Sequence, residues 1–296
     1  MVNYSIIKSD NYLGESGFYL KKNNTVVWLD LAYPSINFYS INNNKFEKKI
    51  LKLKKPLGNV YPLTNSKFII SSSNGLYLLN KNKKVLSKIG DIRKKEEKKY
   101  LIYNDGTISK NKLWIGLSHI KEKKSLGYFG YVYNNNFYVV DKKFKVSNGP
   151  AIDKKNNKIY FSDSFNRIIY QYSLKNFKRK KFYKFRKSQG YPDGIALDTK
   201  GGLWVAHWGG GKISRIKKNG NHDFSFSLPA FNITSVTFVG KNLSSLFVTS
   251  AKIDTNKKQL NKYNYSGSSF IIKTKFKGIS IPYTNTKMLM KLRYLR

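Results

Sequence analysis

Val27-Trp28-Leu29-Asp30, Phe68-Ile69-Ile70-Ser71, Leu113-Trp114-Ile115-Gly116, Ile159-Tyr160-Phe161-Ser162, Leu203-Trp204-Val205-Ala206 and Leu246-Phe247-Val248-Thr249 are six versions of one phrase. Their second residues follow one another at steps of 41, 45, 46, 44 and 43 residues. Each phrase is too short for an amphipathic helix and is rich in aromatic and β-branched side chains, so it reads as a buried strand. Five of the six end on a small residue, where a strand packs closely against a neighbouring sheet. A four-stranded propeller blade takes about 40–45 residues, which matches the repeat. The expected fold is therefore all-β: a six-bladed β-propeller of four-stranded antiparallel blades around a central channel, as one domain over residues 1–296.

Turn signals fall where hairpins require them, at Asn23-Asn24, Ser73-Asn74-Gly75, Asn134-Asn135-Asn136, Asp153 to Asn157, Thr199 to Gly202 and Lys218-Asn219-Gly220. Phe270-Ile271-Ile272 is expected to pair with the N-terminal segment, since closing the ring removes an exposed sheet edge. The 40% hydrophobic and 15% aromatic content belongs to a chain with a packed core. With no cysteine, neither disulfides nor thiolate zinc sites are available. The N-terminus lacks the apolar stretch of a secretory signal and no long apolar run occurs, so a soluble, cytoplasmic protein without a membrane partner is expected.

The formal charge of +40 invites a polyanion-binding reading. Only seven of the 56 basic residues are Arg, the better residue for bidentate phosphate or guanine contacts. The Lys excess comes with abundant Asn, Ile, Tyr and Phe, which share A/T-rich codons. A solvated basic surface without specific nucleic-acid binding is the expectation.

Acids and amides recur in phase with the repeat. Glu15 precedes Trp28 by 13 residues, Asn104 precedes Trp114 by 10, Asn148 precedes Tyr160 by 12 and Asp193 precedes Trp204 by 11. That is where the innermost strand of a blade would begin at one mouth of the channel, so the four side chains would meet around the axis. Two carboxylates and two amides make an all-oxygen set suited to a hard divalent cation. The alternative is that Asn104-Asp105-Gly106, Asn148-Gly149 and Asp193-Gly194 are ordinary hairpin turns.

At these residues the chain resembles the SMP-30/gluconolactonase/luciferin-regenerating-enzyme family, also called regucalcin-like proteins. The resemblance rests on ordered segments: Leu13-Gly14-Glu15-Ser16-Gly17, Tyr103-Asn104-Asp105-Gly106, Ser147-Asn148-Gly149-Pro150-Ala151, Tyr191-Pro192-Asp193-Gly194-Ile195 and Thr234-Ser235-Val236-Thr237-Phe238, each followed by its aromatic phrase. It implies a propeller with one divalent metal ion (Ca²⁺, Zn²⁺, Mg²⁺ or Mn²⁺), held by Glu15, Asn148 and Asp193. It also implies substrate binding by Asn104 and a small-molecule lactone substrate, sugar-derived as in gluconolactonase. Ile102 departs from the family, whose sugar-lactone hydrolases commonly carry Arg there.

The chemistry expected is hydrolysis of the lactone by water, with Lewis-acid activation of the carbonyl and Asp193 as the catalytic base. Two other functions use the same features: phosphotriester hydrolysis on the same metal platform, or a non-catalytic basic propeller binding a protein or polyanion. His119 is a candidate to touch substrate, with a loop position as its alternative. His207 is read as packing inside a strand, His222 as a turn residue and Asp163 as a structural acceptor. Ser162 and Ser164 lack the partners of a serine nucleophile.

Overall fold

A computed structural model describes residues 3–109 and 111–283; the first two residues, residue 110 and residues 284–296, with Arg293 and Arg296, lie outside the described part. The described residues form six four-stranded antiparallel sheets arranged as a six-bladed propeller. Blade one comprises Gly14–Leu20, Thr25–Asp30, Ser35–Ser40 and Lys45–Ile50, counted outward from the channel. The innermost strands of blades two to six are Leu57–Pro62, Leu101–Ser109, Ser147–Asp153, Tyr191–Leu197 and Asn232–Val239. All six aromatic phrases form the second strand of their blade, and Trp28, Trp114 and Trp204 are fully buried there.

Burial explains both the pattern and the charge. The second strands touch the facing blades on both sides, so they read as near-continuous apolar runs. Trp28 of blade one meets Phe247 of blade six at 5.0 Å between ring centroids, and Phe129 of blade three stacks on Phe161 of blade four. The outermost strands, such as Lys45–Ile50 and Arg179–Lys184, are mostly exposed and carry much of the lysine. That is where a solvated basic surface belongs.

Ring closure occurs as the sequence implies. Tyr4–Ile7 is the outer strand of blade six and pairs with Ser269–Lys273, Tyr4 opposite Ile272 and Ile6 opposite Phe270. The expected turns are also found: Asn24, Asn134, Asn135 and Asn157 all adopt positive φ at hairpin ends.

Every innermost strand carries one extra residue at the same height. The register slips between Glu15 and Phe18, Leu57 and Val60, Tyr103 and Gly106, Asn148 and Ala151, Pro192 and Ile195, and Ile233 and Val236. These β-bulges bend the strands where they crowd the axis. Asn104-Asp105-Gly106, Asn148-Gly149 and Asp193-Gly194 lie in these bulges rather than in hairpin turns. Gly149 adopts φ +85°, and a Cβ on Gly194 would lie 2.9 Å from Ser235 Cα, so each glycine answers a local backbone need.

Hydrogen bonds link the bulges from blade to blade. Ser16 Oγ donates to the Gly58 carbonyl (3.1 Å), Asn59 Nδ2 to the Gly106 carbonyl (2.5 Å) and the Gly17 N–H to Ser235 Oγ (3.3 Å). At the far end of the channel, Ile279–Pro282 borders a small cavity of about 100 Å³. This segment is fastened by Thr199 N–H to the Lys277 carbonyl and Ile279 N–H to the Leu197 carbonyl. The remaining mouth carries the acids and amides.

Candidate functional site

The bulges determine which side chains reach the axis. Glu15 and Asn148 flank a bulge and Asn104 and Asp193 sit inside one, and all four line a single cavity of about 290 Å³. Asn104 Nδ2 donates to Asn148 Oδ1 (2.5 Å) and to the Ser147 carbonyl (2.8 Å). Asn148 Nδ2 donates to Asp193 Oδ1 (2.6 Å) and to Ser164 Oγ (3.0 Å). Glu15 Oε2 accepts from the Ser16 N–H (2.8 Å). Each amide is oriented by committing both of its hydrogens.

Three further acids line the same cavity: Asp105, Glu122 and Asp254. Sequence periodicity missed them for identifiable reasons. Asp105 follows Asn104 directly, and strict strand alternation would send neighbours to opposite faces, but the bulge breaks that alternation and both line the cavity. Glu122 and Asp254 lie outside the named strands, in segments without periodicity.

The electrostatics are those of carboxyl groups crowded together without a counter-charge. Glu15, Asp105 and Asp193 are 6%, 8% and 5% exposed. Burial, then repulsion from Asp193 and Asp105, holds the Glu15 carboxyl well above the usual carboxylate range. Burial, then Asp105 and Glu122, does the same to Asp193. Desolvation pushes Asp105 up to about 7 against the Gly149 N–H that its carboxylate accepts. Among the described residues, none of the five cavity acids forms an ion pair, and no Lys or Arg lines the cavity.

This donor set fits a hard divalent cation. Buried carboxylates without a counter-charge are costly, and a cation bound between them offsets that cost. Among the described residues no three His, Cys, Asp or Glu side chains converge closely enough to hold an ion alone, so the amide oxygens of Asn104 and Asn148 would be needed. Glu15, Asn104, Asn148 and Asp193, which the sequence expects at one mouth of the channel, line one cavity and all carry oxygen donors.

Around this set lie supporting residues. Ser162 Oγ donates to the Asp193 carbonyl (3.0 Å) and Ser164 Oγ to the Pro192 carbonyl (2.6 Å), so both serines position the bulges. Ser164→Ala leaves Asn148 Nδ2 and the Pro192 carbonyl each short of a partner. A loss of about 1–3 kcal/mol is expected, read as a lowered thermal midpoint.

The histidines stand apart from the cavity lining. His119 is buried at a strand end, its Nδ1 accepting from the Lys121 N–H (3.2 Å), and it does not line the cavity. His222 is exposed beside Ser225. His207 packs edge-on to Phe185 and bonds the Gln189 carbonyl through Nδ1 (2.7 Å), and burial lowers its pKa to about 4 from 6.5. The fold thus prefers the neutral ring: the contribution is complete above pH 6.5 and is lost as the pH falls toward 4. His207→Asn is expected to lose about 3 kcal/mol less than the parent between pH 7 and pH 4, measured by urea unfolding at both pH values. Asp163 accepts from Asn166 Nδ2 (2.9 Å), a structural contact. Ile102 pairs with Ser118 and is not part of the cavity wall.

Fold and site together define a six-bladed propeller with an acid-lined pocket at one mouth of its channel. The family model of the SMP-30/Gluconolactonase/LRE-like region matches residues 13–252, and the chain belongs to that family. It is 26% identical to regucalcin of Danio rerio over 292 residues, covering 95% of this chain and 97% of the relative. To 6-deoxy-6-sulfogluconolactonase of Pseudomonas putida it is 24% identical over 284 residues, covering 94% and 96%. Regucalcin of Agrobacterium tumefaciens, a calcium-binding protein of known structure, has the same fold, with a TM-score of 0.86 at 21% identity over 94% of this chain and 96% of that one. Among the described residues no helix is long and apolar enough to cross a membrane.

Proposed function

We propose that this protein is a divalent-cation-dependent lactone hydrolase whose working residues are Glu15, Asn104, Asn148 and Asp193. One observation carries the reading: in a chain of net charge +40, five of the sixteen acidic residues line one cavity that no Lys or Arg among the described residues lines. Such a concentration against the overall charge is what a cation site needs. The lactone half of the reading is supported by the family and by its lactonase-named relatives.

Glu15, Asn148 and Asp193 would hold the ion, with Asn104 Oδ1 turned to substrate or sharing in the ligation. When bound, the cation supplies Lewis acidity to the ester carbonyl and offsets the negative charge that develops on its oxygen. Asn148 anchors Asp193 Oδ1, leaving the second carboxylate oxygen to take a proton from the attacking water. That water forms the new C–O bond, and the ring C–O bond breaks. The proton on Asp193 then passes to the departing alkoxide, giving the open hydroxy acid. Among lactones, a sugar-derived ring is the substrate the family resemblance implies.

The test follows acid release from a lactone panel after chelation and again after adding back Ca²⁺, Mg²⁺, Mn²⁺ or Zn²⁺. Turnover is expected to vanish on chelation and return with at least one ion. Undiminished turnover by a folded, metal-stripped sample rejects the reading.

A further inference from the structure

Blade three ends outward, away from the channel, in the strand Asn136–Phe144, whose nine residues make it the longest of the six outer strands. Among the described residues no strand pairs with its outer side. Such an edge presents backbone N–H and C=O groups to any extended chain that approaches, and proteins ordinarily blunt it with charge or keep it short. The other blades follow that rule. Lys45, Lys48 and Lys49 stand in the outer strand of blade one, Lys88 in that of blade two, Lys180, Lys181 and Lys184 in that of blade four and Asp223 in that of blade five, while Tyr4–Ile7 of blade six has four residues. Blade three departs from it: in a chain that is 24% charged, the eight residues from Tyr133 to Val140 carry no charge.

The uncharged stretch is also apolar and exposed. Tyr138 and Val139 are each 43% exposed, with Tyr133 exposed beside the turn, whereas Ile50 and Val85 stand alone on their outer strands. A row of rings crosses the blade toward this edge: Trp114 lies opposite Tyr131 and Tyr131 opposite Tyr138, with centroids 5.0 and 5.2 Å apart. The row stops at Tyr138, and one more strand would continue it through the cross-strand pairs that stabilise sheets. Beyond Val139 the register slips twice, so the regular part of the edge is Asn136–Val139.

The surroundings are basic. Lys112 Nζ lies 3.9 Å from the centre of the Tyr131 ring, and Lys142 and Lys143 are exposed further along the strand. The strand's one acid, Asp141, is engaged by Tyr172 Oη and Arg179. A second copy of the chain would bring another +40 of like charge to this edge. An acidic partner meets complementary charge instead.

We infer that Asn136–Val139 is a docking edge for an extended acidic segment of another protein, which adds a fifth strand to blade three. Backbone pairing supplies the attachment, the ring of Tyr138 selects an aromatic or β-branched side chain opposite it, and Lys112, Lys142 and Lys143 select acidic flanks. The inference is independent of the chemistry at the channel mouth.

The probe is a fluorescein-labelled peptide, EEVTYTVEE, titrated with the full chain and followed by fluorescence anisotropy. Saturable binding is expected, weakened at least about tenfold when the central tyrosine of the peptide is replaced by proline, which cannot donate to a ladder. Val139→Glu should weaken binding by a similar factor, while Val85→Glu, the same change on the outer strand of blade two, should alter it less than about twofold. Tyr138→Ser provides a second edge variant, and unchanged thermal midpoints show that all three variants remain folded. No binding at millimolar peptide overturns the inference. So does equal weakening by Val139→Glu and Val85→Glu, or indifference to the proline, since either would mean adhesion to the basic surface at large. A concentration-dependent dimer in sedimentation that Val139→Glu abolishes would assign the edge to a second copy and overturn it too.

Discussion

In Asp193→Ala, lactone turnover is expected to fall by on the order of 10²–10⁴-fold while the propeller remains folded. The size follows from the two duties the proposal gives this side chain, a share of the cation and receipt of the proton from water. The intact fold follows from the electrostatics. Asp193 is buried beside Glu15 and close enough to Asp105 and Glu122 to be raised by both, so removing it relieves repulsion while forfeiting one hydrogen bond from Asn148. The metal-free variant should therefore unfold at a temperature close to that of the metal-free parent. Circular dichroism melting and turnover, measured on the same sample, separate these effects. A variant that keeps near-parental kcat/KM removes Asp193 from the mechanism.

The second large effect is on stability. Without a cation, the folded state keeps protons on Glu15, Asp105 and Asp193 that the unfolded chain releases. A carboxyl raised in the fold costs nothing below its unfolded pKa and progressively more above it, until its folded pKa is passed. For Asp105 that window runs from the ordinary 3.8 to about 7. The chelated protein is thus expected to lose stability from these acids as the pH rises from 5 to 8. An added divalent ion should restore it, and should do so more at pH 8 than at pH 5. At a hundredfold excess over its Kd the ion contributes about 2.7 kcal/mol, on the order of 4 °C in thermal midpoint for a chain of this size. An ion-independent midpoint at pH 8 would contradict the proposed site.

The repeat was readable because blade packing imposes it. Trp28, Trp114 and Trp204 occupy equivalent second strands, and that environment accepts few residue types. Glu15, Asn104, Asn148 and Asp193 were visible for a related reason: their phase matches the height at which the innermost strands bulge. What the dipeptides meant was not visible. Asn148-Gly149 and Asp193-Gly194 have the composition of hairpin turns, and only the neighbouring strand's register shows that they are bulges. Asp105 was hidden by the same ambiguity. Glu122 and Asp254 reach the cavity from segments between strands, and no spacing rule governs where such segments settle.

Closing the ring with Tyr4–Ile7 has a consequence for biosynthesis. These residues are translated well before their partners, Ser269–Lys273, which stand 262 to 268 positions further along the chain. At roughly 5–20 residues per second Tyr4–Ile7 waits on the order of ten to fifty seconds before its partner strand exists. Closure of the ring therefore cannot precede translation of Ser269–Lys273, and a ribosome stalled before that point would leave an unpaired, aggregation-prone strand.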